Sequence, residues 1–125
     1  GPSLASPPLD LARLASLAAE DVSFMRELLS AFRASAAGAL EEMRDAQVSD
    51  RRDRLQRAAH KLKGASDNIG AGRLRDLAFE LESRASEAPP GQLAQWIDAV
   101  AAELAELDGF FSTTDLAALA RRQAS

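Results

Sequence analysis

His60 is the only histidine in a chain of 125 residues, and it opens the run His60-Lys61-Leu62-Lys63-Gly64-Ala65-Ser66-Asp67-Asn68-Ile69-Gly70-Ala71. An ordinary exposed imidazole titrates near about 6.5, so most of it is neutral at a pH of about 7 and carries a free nitrogen lone pair. Such a nitrogen can attack an acyl phosphate on another protein and hold the phosphoryl group as a phosphoramidate that remains reactive. Lys63, one helical turn on, places an ammonium where it can neutralise that group as a flexible point charge. Gly64 costs roughly 1 kcal/mol in a helix interior relative to alanine. At an exposed position that cost is best explained by access, since a residue without a side chain lets another protein approach the ring. Gln56 either hydrogen-bonds a phosphoryl oxygen or faces water.

The helical wheel supports this placement. With the centre of the apolar line Leu55, Ala59, Leu62, Ser66 and Ile69 set at zero, His60 points about 140° away and Gly64 near 180°. Gln56, Lys63 and Asp67 fall at about 80 to 120°, on the same face or adjacent to it. Ser66 lies near the buried centre, where its hydroxyl is expected to bond a backbone carbonyl rather than do chemistry. Arg51, Arg52, Arg54, Arg57, Lys61 and Lys63 give this helix a local basic bias. That bias can steer an acidic partner; the alternative is a solvated face balanced by Asp50 and Asp53. Arg57, Lys61 and Asp67 are the candidate partner contacts.

Other chemistries lack their residues. There is no cysteine, and one exposed histidine is too few ligands for a metal site. A hydrolytic triad needs a nucleophile and base held together in a pocket, and no P-loop or kinase nucleotide motif is present. The formal charge of −4 disfavours nucleic acid as the main partner. No apolar run approaches the roughly 20 residues that cross a bilayer, and no signal peptide is evident. Lack of cysteine fits a reducing compartment.

The surrounding elements read as helices. Apolar residues make up 46% of the chain, dominated by alanine and leucine, and no strand pattern occurs. After Pro7-Pro8, Asp10 is expected to cap a short helix through Leu11, Leu14, Leu17 and Ala18, and Asp21 to cap a long one. The long helix carries Met25, Leu29, Phe32, Ala36, Ala39 and Met43 at alternating spacings of four and three, with Leu28 and Leu40 alongside. Gly38 within it is read as a mark of close helix contact. Ser49 is expected to cap the His60 helix with Asp50 in its first turn, and Gly70 to end it in a left-handed conformation. A further helix runs from about Arg73 to Ala85 with Leu74, Leu77, Ala78 and Leu81 on one face. Pro89-Pro90-Gly91 breaks the chain. Beyond it Leu93, Ile97, Val100, Leu104, Leu107 and Phe111 form another apolar line, flanked by Trp96 and Phe110. Ser112, Thr113 and Thr114 offer capping hydroxyls to a short helical or frayed tail.

The predicted fold is all-α: an antiparallel up-and-down four-helix bundle with a short additional N-terminal helix and a short C-terminal helical tail. Residues 1–8 are expected to be a tag remnant, from the scar-like Gly1-Pro2-Ser3, followed by an irregular leader. The bundle is assigned to 9–111 and the tail to 112–125.

The segment Ala59-His60-Lys61-Leu62-Lys63-Gly64-Ala65-Ser66, followed by Ile69-Gly70-Ala71, resembles the histidine-containing phosphotransfer (HPt) domains of two-component phosphorelays. Phe32 on the preceding helix and Leu74, Leu77, Leu81 and Glu82 on the following one extend the resemblance, which covers roughly Leu9 to Phe111. It implies that His60 is the phosphoacceptor, Lys63 the helper lysine and Gly64 the open position. It further implies a phosphocarrier without its own ATP site, whose partners are receiver domains of response regulators or of a hybrid sensor kinase. Mg²⁺ would belong to the receiver and no cofactor to this chain. The implied location is cytoplasmic, either free or as the cytoplasmic module of a membrane-bound sensor kinase. Two alternatives share these residues: a helical module that docks and regulates a signalling partner without phosphorylation, and the substrate domain of a chemotaxis-type kinase.

Overall fold

The computed structural model of the protein describes residues 8–124, which form six α-helices and no strand. They are α1 (Leu11–Glu20), α2 (Val22–Val48), α3 (Arg52–Asn68), α4 (Gly72–Arg84), α5 (Pro90–Thr113) and α6 (Leu116–Ala124). The tag-like start lies outside the described residues.

Two aspartates begin the chain of helices as expected. The Asp10 carboxylate accepts from the Arg13 N–H at 3.0 Å, and that of Asp21 from the Phe24 N–H at 2.9 Å. Asp21 alone separates α1 from α2, its own N–H donating to the Leu17 carbonyl. The α2 line from Met25 to Met43 is buried throughout, as are Leu55, Ala59, Leu62, Ser66 and Ile69 of α3 and the four apolar residues predicted on α4. In α5, Pro90 sits at the first helical position, where a missing N–H costs nothing. Leu93, Trp96, Ile97, Val100 and Leu107 face inward.

Both ends of the α3 neighbourhood close in the same way. At the end of α3, Gly70 has φ +74°, the Ala71 N–H donates to the Ser66 carbonyl at 2.9 Å, and the Gly70 N–H to that of Asp67 at 3.2 Å. The end of α2 repeats this pattern with Asp50 at φ +53°, Arg51 N–H to Ala46 O at 2.8 Å and Asp50 N–H to Gln47 O at 3.3 Å. This corrects the expected N-cap. Ser49 closes α2 rather than opening α3, because the left-handed residue after it is an aspartate. Arg51 precedes α3 with no side-chain cap, and Asp53 supplies the first-turn acid.

Gly38 is also corrected: it is exposed, and a Cβ there would meet nothing within 4 Å. The hydroxyls of Ser112 and Thr113 do not cap the tail. They donate back to the Asp108 and Gly109 carbonyls of α5, while the Asp115 carboxylate accepts from the Ala118 N–H at 3.1 Å and starts α6.

Helix α2 packs against α3 and α5, and α4 packs against the same two, closing a ring around the core. Cross-helix pairs run in opposite number order. Arg33 meets Asp108 and Arg44 meets Asp98; Arg75 meets Asp67, and the Arg52 guanidinium donates to the carbonyls of Ala85 and Ala88. Helix α6 packs against α1, with Leu119 in the core. Helix α1 is tied to the end of α3, where the Asp10 N–H donates to the Gly70 carbonyl and the Arg13 guanidinium to those of Asp67 and Asn68. These bonds satisfy carbonyls that a helix end leaves without partners. Among the described residues no helix is long and apolar enough to cross a membrane.

One acid is placed at odds with the core. Glu103 of α5 is 4% exposed, its Oε2 makes no hydrogen bond, and its Oε1 lies 3.5 Å from an Arg73 guanidinium nitrogen. Burial pushes its carboxyl above the usual range, and Arg73 offsets this only in part. With the folded value raised, the folded chain holds this proton more tightly than the unfolded chain. The associated stability is therefore full below the ordinary carboxylate range and is lost as pH rises through the raised value. Glu103→Gln is expected to remove that slope. Urea midpoints measured from acid to neutral pH should show the variant's advantage over the wild type growing with pH; a constant difference would contradict this.

Candidate phosphoacceptor site

The site is built across α3 and α4. The tight turn at Gly70 folds α4 back along α3, and it does so symmetrically. His60 and Glu82 lie equally far along the chain from Ala71, as do Lys63 and Phe79, and Asp67 and Arg75. Each of these pairs is in contact. The His60 Nδ1 lies 2.5 Å from Glu82 Oε2, and the Lys63 ammonium donates to Glu82 Oε1 at 2.7 Å. Lys63 also stands over the Phe79 ring, 5.5 Å from its centroid, and an Arg75 guanidinium nitrogen lies 3.6 Å from an Asp67 carboxylate oxygen.

The Glu82 side chain is mostly covered, while that of His60 remains 67% exposed. The Lys63 hydrogen bond, with a smaller contribution from His60, holds the Glu82 carboxyl below the usual carboxylate range against the opposing effect of burial. Its contribution to stability is therefore present above the ordinary carboxylate range and lost as pH falls through the lowered value. An ionised carboxylate only accepts hydrogen bonds, so Nδ1 must be the ring nitrogen that carries the proton. In the neutral ring the lone pair then resides on Nε2, on the side away from Glu82.

The remaining sequence-derived candidates fall around this centre. Gln56, Arg57, His60, Lys61 and Glu82 line one shallow open depression. Gly64 is exposed beside it, and a Cβ built there would meet nothing within 4 Å, so the glycine is not demanded by packing. Asp67 is exposed, its carboxylate near Arg75 and its carbonyl holding Arg13. Ser66 is fully buried and donates to the Leu62 carbonyl at 2.7 Å, the backbone role expected of it.

The basic stripe is less free than the sequence implied. Arg52 is occupied at the α4–α5 connection, Arg51 and Arg57 both reach Asp53, and Lys63 belongs to Glu82. Lys61 is exposed and makes no ion pair among the described residues. Among those residues, no group of three or more histidine, cysteine, aspartate or glutamate side chains could hold a metal ion.

Glu82 and Phe79 were not singled out as functional from the sequence. The available signal was the mirror relation across the Gly70-Ala71 turn, which becomes useful once α3 and α4 are taken as a tight hairpin of helices.

An exposed histidine oriented by a carboxylate, with an ammonium beside it on an all-helical scaffold, is suited to carrying a group on a ring nitrogen. The family model for the Hpt domain matches residues 27–121, most of the chain, and the protein belongs to this family of two-component phosphotransfer domains. No curated protein and no solved structure matches the chain significantly.

The tautomer can be tested directly. In the wild type with a neutral ring, imidazole ¹⁵N shifts are expected to report a protonated Nδ1 and a bare Nε2. Glu82→Ala should move the population toward the Nε2–H form. Identical ¹⁵N patterns in the two proteins would mean that Glu82 does not set the tautomer.

Proposed function

We propose that the protein is a phosphocarrier of a two-component phosphorelay, taking a phosphoryl group on His60 from a receiver-domain aspartate and passing it to another receiver. The observation that carries this reading is the exposed His60 side chain, held at Nδ1 by Glu82 and with open space one turn on at Gly64. Membership of the Hpt family supports it. The opposite number order of the cross-helix pairs and the short connections support an up-and-down antiparallel arrangement of α2 to α5 as the scaffold.

In the proposed step the Nε2–P bond forms as the aspartyl O–P bond breaks, and the aspartate leaves as a carboxylate. Positive charge develops on the ring as Nε2 donates its electrons, and the Glu82 carboxylate meets it through Nδ1–H. Lys63, already beside Glu82, swings its ammonium toward the phosphoryl oxygens. Gln56 lies on the same rim and donates to them. Phosphoryl transfer depends mainly on in-line positioning and charge neutralisation, so the receiver and its Mg²⁺ supply what this chain lacks. Arg57, Lys61 and Asp67 form part of the contact surface. The setting is cytoplasmic, where such receivers work.

His60→Gln should keep its helicity by circular dichroism yet lose acid-labile phosphate uptake from a phosphorylated receiver. Undiminished labelling would reject the assignment, and retained binding without labelling in the wild type would favour a docking module.

At Gly64, stability and function should part. Gly64→Ala fits the open helical position and is expected to raise stability by about 0.5–1 kcal/mol. A bulky residue there should slow transfer from a receiver several-fold. Denaturant melts and single-turnover transfer rates check the two halves, and an unchanged rate in Gly64→Trp would remove the access argument.

A further inference from the structure

Among the described residues four large apolar side chains stand exposed: Leu11, Phe24, Val48 and Phe79. The first three belong to α1 and α2. Phe79 lies on α4, one turn before Glu82, and the residue is 51% exposed. The Lys63 ammonium stands 5.5 Å from its ring centroid, and that ammonium is bonded to the carboxylate that holds His60. Nothing in the core requires an aromatic here, since α4 packs through Leu74, Leu77, Ala78 and Leu81.

A protein that brings an acyl phosphate to the His60 Nε2 must lay its surface around that atom. A standard interface covers about 800 Å² on each partner, a disc of about 16 Å radius. Three contacts of 2.5, 2.7 and 5.5 Å link the ring to His60, so Phe79 falls well inside any such footprint centred on the histidine. Gly64 leaves the ground beside it clear. Half-exposed aromatics within a contact surface are the side chains that most often anchor it.

We propose that Phe79 is the apolar anchor by which this chain selects its phosphoryl-exchanging receivers. The inference rests on the phosphocarrier reading and names its partner more closely. The partner carries its phosphorylated aspartate at the edge of an apolar patch that takes the Phe79 ring. Acidic residues flank that patch, complementary to the exposed Lys61. Phe79 is a docking residue, remote from the reacting atoms. Its loss acts on the encounter rather than on the bond exchange.

The test is single-turnover transfer to the full chain, over a range of receiver concentrations, from whichever phosphorylated receiver in a panel serves the wild type fastest. Each variant's rates are normalised to its His60 labelling by phosphoramidate. For Phe79→Ala, the receiver concentration giving half the maximal rate is expected to rise about ten-fold, with the loss confined to that term. Phe79→Leu should recover most of it. A half-maximal concentration within two-fold of wild type in Phe79→Ala would overturn the docking role and leave the phosphocarrier reading standing. So would a loss confined to the saturating rate, or one shared equally with phosphoramidate labelling. Absence of transfer to the wild type from every receiver would overturn both.

Discussion

The Glu82 carboxylate is shared between an imidazole and an ammonium from the neighbouring helix, and this sharing organises the site. One oxygen meets Nδ1 of His60 and the other accepts from the Lys63 ammonium. Both bonds cross from α4 to α3, so the site exists only while those helices keep their register. That register is set at Gly70, whose left-handed backbone lets the Ala71 and Gly70 N–H groups reach back to the Ser66 and Asp67 carbonyls. A Cβ at Gly70 would also come within 3.1 Å of the Asp10 Cβ, so the residue serves both the turn and the seat of α1. The bonding of His60 thus depends on a turn ten residues away.

Shared bonding also explains how a mostly covered acid is tolerated beside the exposed histidine. Glu82 has two hydrogen-bonded partners and is held ionised by them. Glu103 is covered to a similar or greater degree, but one of its oxygens has no hydrogen-bond partner and its carboxyl is pushed toward the neutral form. The same residue type takes opposite behaviour because bonding to the charged form wins in one place and desolvation in the other. The site therefore carries a fixed negative charge against the His60 ring.

The exposed side of α3 and α4 carries features that the packing of the bundle does not require. Gly64 removes bulk, Phe79 adds an apolar face, and Lys61 adds positive charge with no ion pair among the described residues. None of these contributes to the core. Such features lower the stability of an isolated helix face, and a partner's approach gives them a physical reason. Helix α1, outside the family match, contributes differently: Arg13 and Asp10 hold the carbonyl end of α3 and steady the helix that presents the histidine.

Local pattern by itself determined the helices and their inward faces. The apolar lines of α2, α3, α4 and α5 were legible because burial imposes a helical period on the sequence, and Asp10, Asp21 and Gly70 were legible because capping is a local matter. The exposure of His60, the buried backbone role of Ser66 and the candidacy of Lys63 and Gly64 followed from the same wheel. What misled was also local. Ser49 looked like a cap, but Asp50 adopts a left-handed backbone more often reserved for glycine. Gly38 looked like a contact, but it faces open space. Only the tertiary structure decided that Glu82 grips both His60 and Lys63, that Phe79 stands beside them, and that much of the basic stripe is already engaged. Those facts join residues far apart in the chain, through a register that no single helix encodes, and hydrogen bonds of that kind form only once α3 and α4 lie side by side.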